Sequence, residues 1–195
     1  MPLWTPAKIT TTLWLDAADS STITESGGAV SQWDDKSGND RHATQGTAGN
    51  RPSYQNNSVY FGSNRFLNSI ALDSEVRDHT VIGVIDPPGS GDRRYVITLT
   101  HPIAARNANQ RVGYWSDGSW RGTAAATTGK QILGWRLHHA TNGRTYRNGQ
   151  LLETLTYLDG WRSYASGNLR QIGGRFDSSF SNSSLIYLYE LVYCN

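Results

Sequence analysis

Apolar residues along this chain come in short runs. They occupy Leu13–Ala17, Ala29–Trp33, Val59–Phe61, Phe66–Leu72, His79–Ile85, Tyr95–Thr100, Arg111–Trp115, Ile132–His138, Leu169–Ile172 and Leu185–Tyr193, each fenced by Gly, Asn, Asp or Pro. Runs of this length and spacing, rich in β-branched and aromatic residues, predict the strands of an all-β, two-sheet antiparallel sandwich. Asn148-Gly149 between two strand-like pieces predicts a tight hairpin. Thr5-Pro6 offers an N-cap with proline in the first helical position, so at most a short helical turn is expected near the start. The last run is apolar on both alternating faces except at Glu190, with Leu185, Tyr187, Tyr189, Leu191 and Tyr193 on one face and Ile186, Leu188, Glu190 and Val192 on the other. A strand covered on both sides is expected there, by a second layer or by another subunit. Trp14, Trp33, Phe61, Phe66, Val81, Trp135 and Tyr189 are expected in the core.

The order of elements supports a family resemblance. Trp4-Thr5-Pro6-Ala7, Leu13-Trp14-Leu15-Asp16-Ala17-Ala18-Asp19 and Val30-Ser31-Gln32-Trp33-Asp34-Asp35-Lys36-Ser37-Gly38-Asn39 resemble the opening of LamG-like, concanavalin A-like jelly-roll domains. Ala43-Thr44-Gln45, Arg51-Pro52-Ser53-Tyr54, Val59-Tyr60-Phe61-Gly62 and His79–Val84 continue the pattern, as do Tyr146–Gly149, Ile172-Gly173-Gly174 and Tyr189–Tyr193. Residues 86–130 depart from it most. The resemblance implies a jelly roll of two packed sheets, one of them concave, over residues 1–195 as a single domain. It further implies the setting of such domains in tailed-phage virion and bacterial surface proteins, where they serve as decoration modules, fibre tips or carbohydrate-binding units.

Composition narrows the chemistry. With 37% hydrophobic and 17% charged residues, 7 Trp and 10 Tyr among 195, the chain suits short strands with aromatic inner faces and polar turns. Cys194 is the one cysteine, so neither an intrachain disulfide nor a multi-cysteine zinc cage can form. The first residues lack the basic patch and apolar stretch of a signal peptide, and no run reaches membrane-spanning length. Synthesis in a host cytoplasm, location in a virion and no membrane insertion are expected. A net charge of +2 is too small to argue for nucleic acid, but the 18 basic residues are 15 Arg and 3 Lys. Arg makes planar, bidentate and stacking contacts, which favours protein or glycan partners.

Motifs for catalysis are absent from the sequence. The alternating Glu-x-Asp-x-Glu of the fold's glucanases does not occur, and Asp73-Ser74-Glu75 reads as a polar turn or a short helical start. No Gly-x-Ser-x-Gly elbow and no phosphate-binding glycine loop is present. The oxygen-rich Asp34–Asp40 stretch has Lys36 at its centre and lacks the alternation of a calcium loop, so an Asx-rich turn is the expectation, with no metal and no cofactor. What remains is aromatic residues in polar settings: Tyr114, Trp115, Asp117, Trp120 and Arg121 in one segment, Trp161 and Arg162 in another. Sugar rings present flat C–H faces to Trp and Tyr and hydroxyls to Asp and Arg. These seven are the candidate glycan-binding residues; the alternative is that the tryptophans close the end of the sandwich. The partners expected are other virion proteins, a host-surface glycan and further copies of the same chain, and no catalytic residue is assigned.

Overall fold

A computed structural model describes residues 5–69, 79–87, 95–98, 102–106, 111–116, 119–124, 129–138, 142–156, 170–174 and 186–194. Among these residues every strand pairing is antiparallel, and the helical content is three single 3-10 turns, at Pro6–Lys8, Ser20–Thr22 and Ala48–Asn50. The first turn carries proline inside its start as expected, but Thr5 makes no side-chain cap bond.

One sheet runs in the order β1 (Leu13–Asp16), β17 (Ile186–Cys194), β8 (His79–Asp86), β13 (Gln131–His138), β14 (Asn142–Arg147) and β15 (Gln150–Thr156). The other runs β2 (Ile23–Ser26), β3 (Ala29–Trp33), β4 (Ala43–Thr44), β7 (Leu67–Ser69), β16 (Arg170–Ile172), β9 (Tyr95–Thr98), β10 (Pro102–Arg106), β11 (Arg111–Ser116) and β12 (Ser119–Ala124). Two strands join them: β5 (Ser53–Gln55) pairs with β3, and β6 (Ser58–Phe61) pairs with both β5 and β17. The network does not close into a barrel. The expected all-β sandwich is the observed fold.

The core is the meeting of the two inner faces. Leu13, Leu15, Val81, Ile85, Leu133, Trp135, Leu188, Leu191 and Tyr193 come from the first sheet; Val30, Trp33, Ala43, Leu67, Val96, Ile97 and Ile172 from the second; Val59 and Phe61 from the joint. Strand β8 alternates buried and half-buried along its length, as one packed face requires. Gly173 shows how tightly the layers meet: its φ is +73°, and a Cβ built there would stand 2.1 Å from Cδ1 of Phe61. Any other residue would need both a left-handed backbone and the space of a core ring.

Three expected core residues sit elsewhere. Trp14 is half-buried on the outer face of the first sheet, because Leu13 and Leu15 take the inward positions on either side of it. Phe66 is half-buried beside Leu67, which is the residue that enters the core. Tyr189 lies outside because it follows the inward Leu188, and the register shift between Leu188 and Glu190 then turns Glu190 outward as well and brings Leu191 in. The extra residue of such a bulge inverts the alternation. The inward set is therefore Ile186 and Leu188, then Leu191 and Tyr193, a mixture of the two faces expected from strict alternation.

Candidate functional site

The bulge gives the outer face its character. Around it Tyr187, Tyr189 and Glu190 all stand half-buried. Register places Tyr187 between Tyr60 of β6 and Asp86 of β8. The rings of Tyr60 and Tyr187 lie 4.5 Å apart at 31°, and Lys130 holds its ammonium 3.8 Å from the centre of the Tyr189 ring. Burial pushes the Tyr189 phenol up, the Asp86 carboxylate and Tyr187 push the same way, and a hydrogen bond with Ser58 opposes them. One small area thus holds three tyrosine rings, a carboxylate and a lysine.

Beyond Glu190 the same face continues into β1. Trp14 Nε1 donates to Glu190 Oε1 at 2.9 Å, and Lys36 lies 4.7 Å from the centre of the Trp14 ring. Lys36 Nζ is 2.9 Å from Asp16 Oδ2 and 2.9 Å from Asp19 Oδ2. Burial pushes the Glu190 carboxyl up, against the lowering effect of the Trp14 bond. For Lys36, burial opposes the charge but the two carboxylates outweigh it and raise its pKa. Asp19 is lowered, first by its bond with Ser21 and then by Lys36.

The Asp34–Asp40 stretch is the expected Asx-rich turn. Asp35 accepts from the backbone N–H of Trp14 at 2.9 Å, of Ser37 at 2.9 Å and of Arg41 at 3.1 Å, and from the Ser37 hydroxyl at 2.7 Å. Asn39 Nδ2 donates to the carbonyls of Thr11 and Thr12 at 3.0 and 3.2 Å. These bonds fasten the turn to the edge of β1. Among the described residues no group of three His, Cys, Asp or Glu is placed to hold a metal ion.

Of the residues singled out in the sequence, Tyr114 and Trp115 lie on β11, and Trp120 and Arg121 on β12. Their ladder sets Trp115 opposite Trp120 and Tyr114 opposite Arg121. Opposite residues of an antiparallel pair share a face and successive residues alternate. The hairpin therefore brings all four residues onto one two-stranded ladder. Asp117, Trp161 and Arg162 lie outside the described residues, as do Asp73 and Glu75. The tyrosine area on β17 was legible only as a tyrosine-rich strand, since the partners Tyr60, Asp86 and Lys130 come from distant parts of the sequence.

No protein-family model matches the chain, and no curated protein matches it in sequence. Solved structures match it in fold. Trypanosoma rangeli sialidase in complex with sialic acid superposes with a TM-score of 0.63 and 11% identity, over 94% of this chain and 30% of the sialidase. The binding domain of Paraclostridial Mosquitocidal Protein 1 superposes with a TM-score of 0.63 and 12% identity, over 97% of this chain and 49% of that domain. The chain spans less than half the length of either. At these identities the likeness shows a shared β-sandwich fold.

Proposed function

We propose that the chain is a binding module for glycan that does no covalent chemistry on it. The observation that carries this reading is the tyrosine area, in which half-exposed rings stand beside the Asp86 carboxylate on a firm sheet. Rings supply flat apolar platforms and a carboxylate accepts from hydroxyls, the combination a sugar needs. Support for the absence of catalysis is the engagement of nearby carboxylates: Asp16 and Asp19 with Lys36, Asp35 with backbone N–H groups, Glu190 with Trp14. The sequence resemblance supports a place on a tailed-phage virion, as capsid decoration or as part of a tail or fibre, reached from the host cytoplasm and shared with other virion proteins and further copies of the chain.

A second reading is favoured by Ile132 and Leu151, which are 48% and 52% exposed although large and apolar. They suit a purely structural cement protein whose outer face meets other virion proteins and no sugar. A glycan array separates the two. Array hits that are lost in Tyr187→Ala, with melting temperature kept within a few degrees, are the expected result for the glycan module. A blank array together with a stable oligomer in size-exclusion chromatography with light scattering transfers the assignment to the cement protein.

A further inference from the structure

The outer face of the first sheet carries a second feature, several residues along the strands from the tyrosines. Register lines up Thr80 of β8, Arg136 of β13, Arg144 of β14 and Thr154 of β15 in one cross-strand row. The row faces outward, because Trp135 and Thr145, one residue away on β13 and β14, are fully buried in the core. Arg136 and Arg144 are thus directly opposite on adjacent strands, where Cβ atoms stand about 4.5–5.5 Å apart and like charges repel. Among the described residues no carboxylate pairs with either guanidinium. Nε of Arg144 is buried and has no hydrogen-bond partner. A desolvated charged donor with no acceptor is costly, and among the described residues none supplies this pair with an anion.

What stands beside the pair narrows the anion. One step along the ladder Gly134 faces Tyr146, and a Cβ at Gly134 would come within 3.5 Å of Tyr146 Cβ and 3.7 Å of its Cδ2. The missing side chain lets the half-exposed Tyr146 lie close to the sheet, two residues from Arg144 and on the same face. Thr80 and Thr154 flank the pair with hydroxyls, and Cys194 of β17 continues the row beyond Thr80. The two guanidiniums and the ring, on adjacent strands about 4.8 Å apart, match the extent of one charged monosaccharide, and the two hydroxyls, about 14 Å apart across four strands, reach its neighbours in a short oligosaccharide. A polyanion would call for a longer basic track, whereas the same face turns apolar at Leu151, opposite Tyr146, and at Ile132 beyond Gly134.

We propose that Arg136 and Arg144 hold the oxyanion of an acidic sugar, a carboxylate or a sulfate, whose ring lies on Tyr146. The proposal rests on the glycan reading and adds the ligand class. Guanidinium forks grip planar carboxylates and sulfate edges bidentately, and the bound charge removes the repulsion between the two arginines. The test is an array in which neutral glycans are printed beside their sialylated, uronate-bearing and sulfated derivatives, probed at fixed ionic strength with the whole chain, with R136Q, and with R136Q/R144Q. The expected result is a preference of about tenfold or more for an acidic glycan over its neutral parent, the size of a charge-assisted hydrogen bond or two. That preference falls in R136Q and vanishes in the double variant, while both variants melt as the unaltered chain does. The derivative preferred tells carboxylate from sulfate. Neutral and acidic glycans bound equally, or a preference that survives in R136Q/R144Q, overturns the proposal and leaves the glycan module standing. A blank array for every glycan overturns both.

Discussion

At the scale of single residues, the alternation of a strand decides more than hydrophobicity does. Leu13, Trp14 and Leu15 are all apolar, but a strand can turn only alternate positions inward, and the two leucines take them. Trp33 is the opposite case, fully buried at the end of β3. Trp33→Ala is expected to cost about 3–5 kcal/mol in urea unfolding, the usual cost of emptying a core aromatic site. Glu190 yields a pH prediction. Its carboxyl is raised in the folded chain, so the folded state binds the proton more firmly than the unfolded one, and stability falls as pH climbs through the carboxylate range to the raised value. Glu190→Gln keeps an acceptor for Trp14 Nε1 and removes the titrating group. Melting curves between acidic and neutral pH are expected to show that loss of stability flattened in the variant, with a neutral-pH melting temperature no lower than that of the unaltered chain.

At the scale of elements, the strands that sequence reading places most accurately are those whose ends are set by local chemistry. Ala29–Trp33 is β3 to the residue, and Asn148-Gly149 is the turn between β14 and β15. Both turn residues have positive φ, 48° and 80°, as a two-residue hairpin demands. Asn148 also accepts from the Ile132 N–H at 2.9 Å and donates its own N–H to the Ile132 carbonyl at 2.8 Å, which ties the turn to β13. Gly149→Ala places a Cβ in the left-handed region and is expected to lower stability by about 1–2 kcal/mol in denaturant titration without altering the fold. The bulge of β17 was not legible, because nothing in Leu188-Tyr189-Glu190 marks it. It is fixed by partners, β8 on one side and β1 on the other, whose registers must both be met. The candidate sites inherit this limit. Trp115 and Trp120 were readable as a pair of aromatics on one hairpin, whereas Tyr60, Asp86 and Tyr187, or Arg136 and Arg144, become neighbours only through pairing.

At the scale of the whole molecule, β17 is the last of the seventeen described strands in the chain and lies inside the first sheet, between β1 and β8, with β6 added along one end. Leu13 at one end of the sequence is paired with Tyr193 near the other. Until β17 has left the ribosome, β1, β6 and β8 each hold an open hydrogen-bonding edge and an uncovered apolar face, the condition in which strands pair with the wrong neighbour. Such long-range closure is slow compared with the making of local hairpins. Nascent chains stalled before β17 are expected to be cleaved by protease throughout the first sheet, and chains released beyond it to gain protection in a single late step. The strand that carries the tyrosines is therefore also the clasp of the sandwich, and a chain that displays its aromatic face is one whose first sheet has closed.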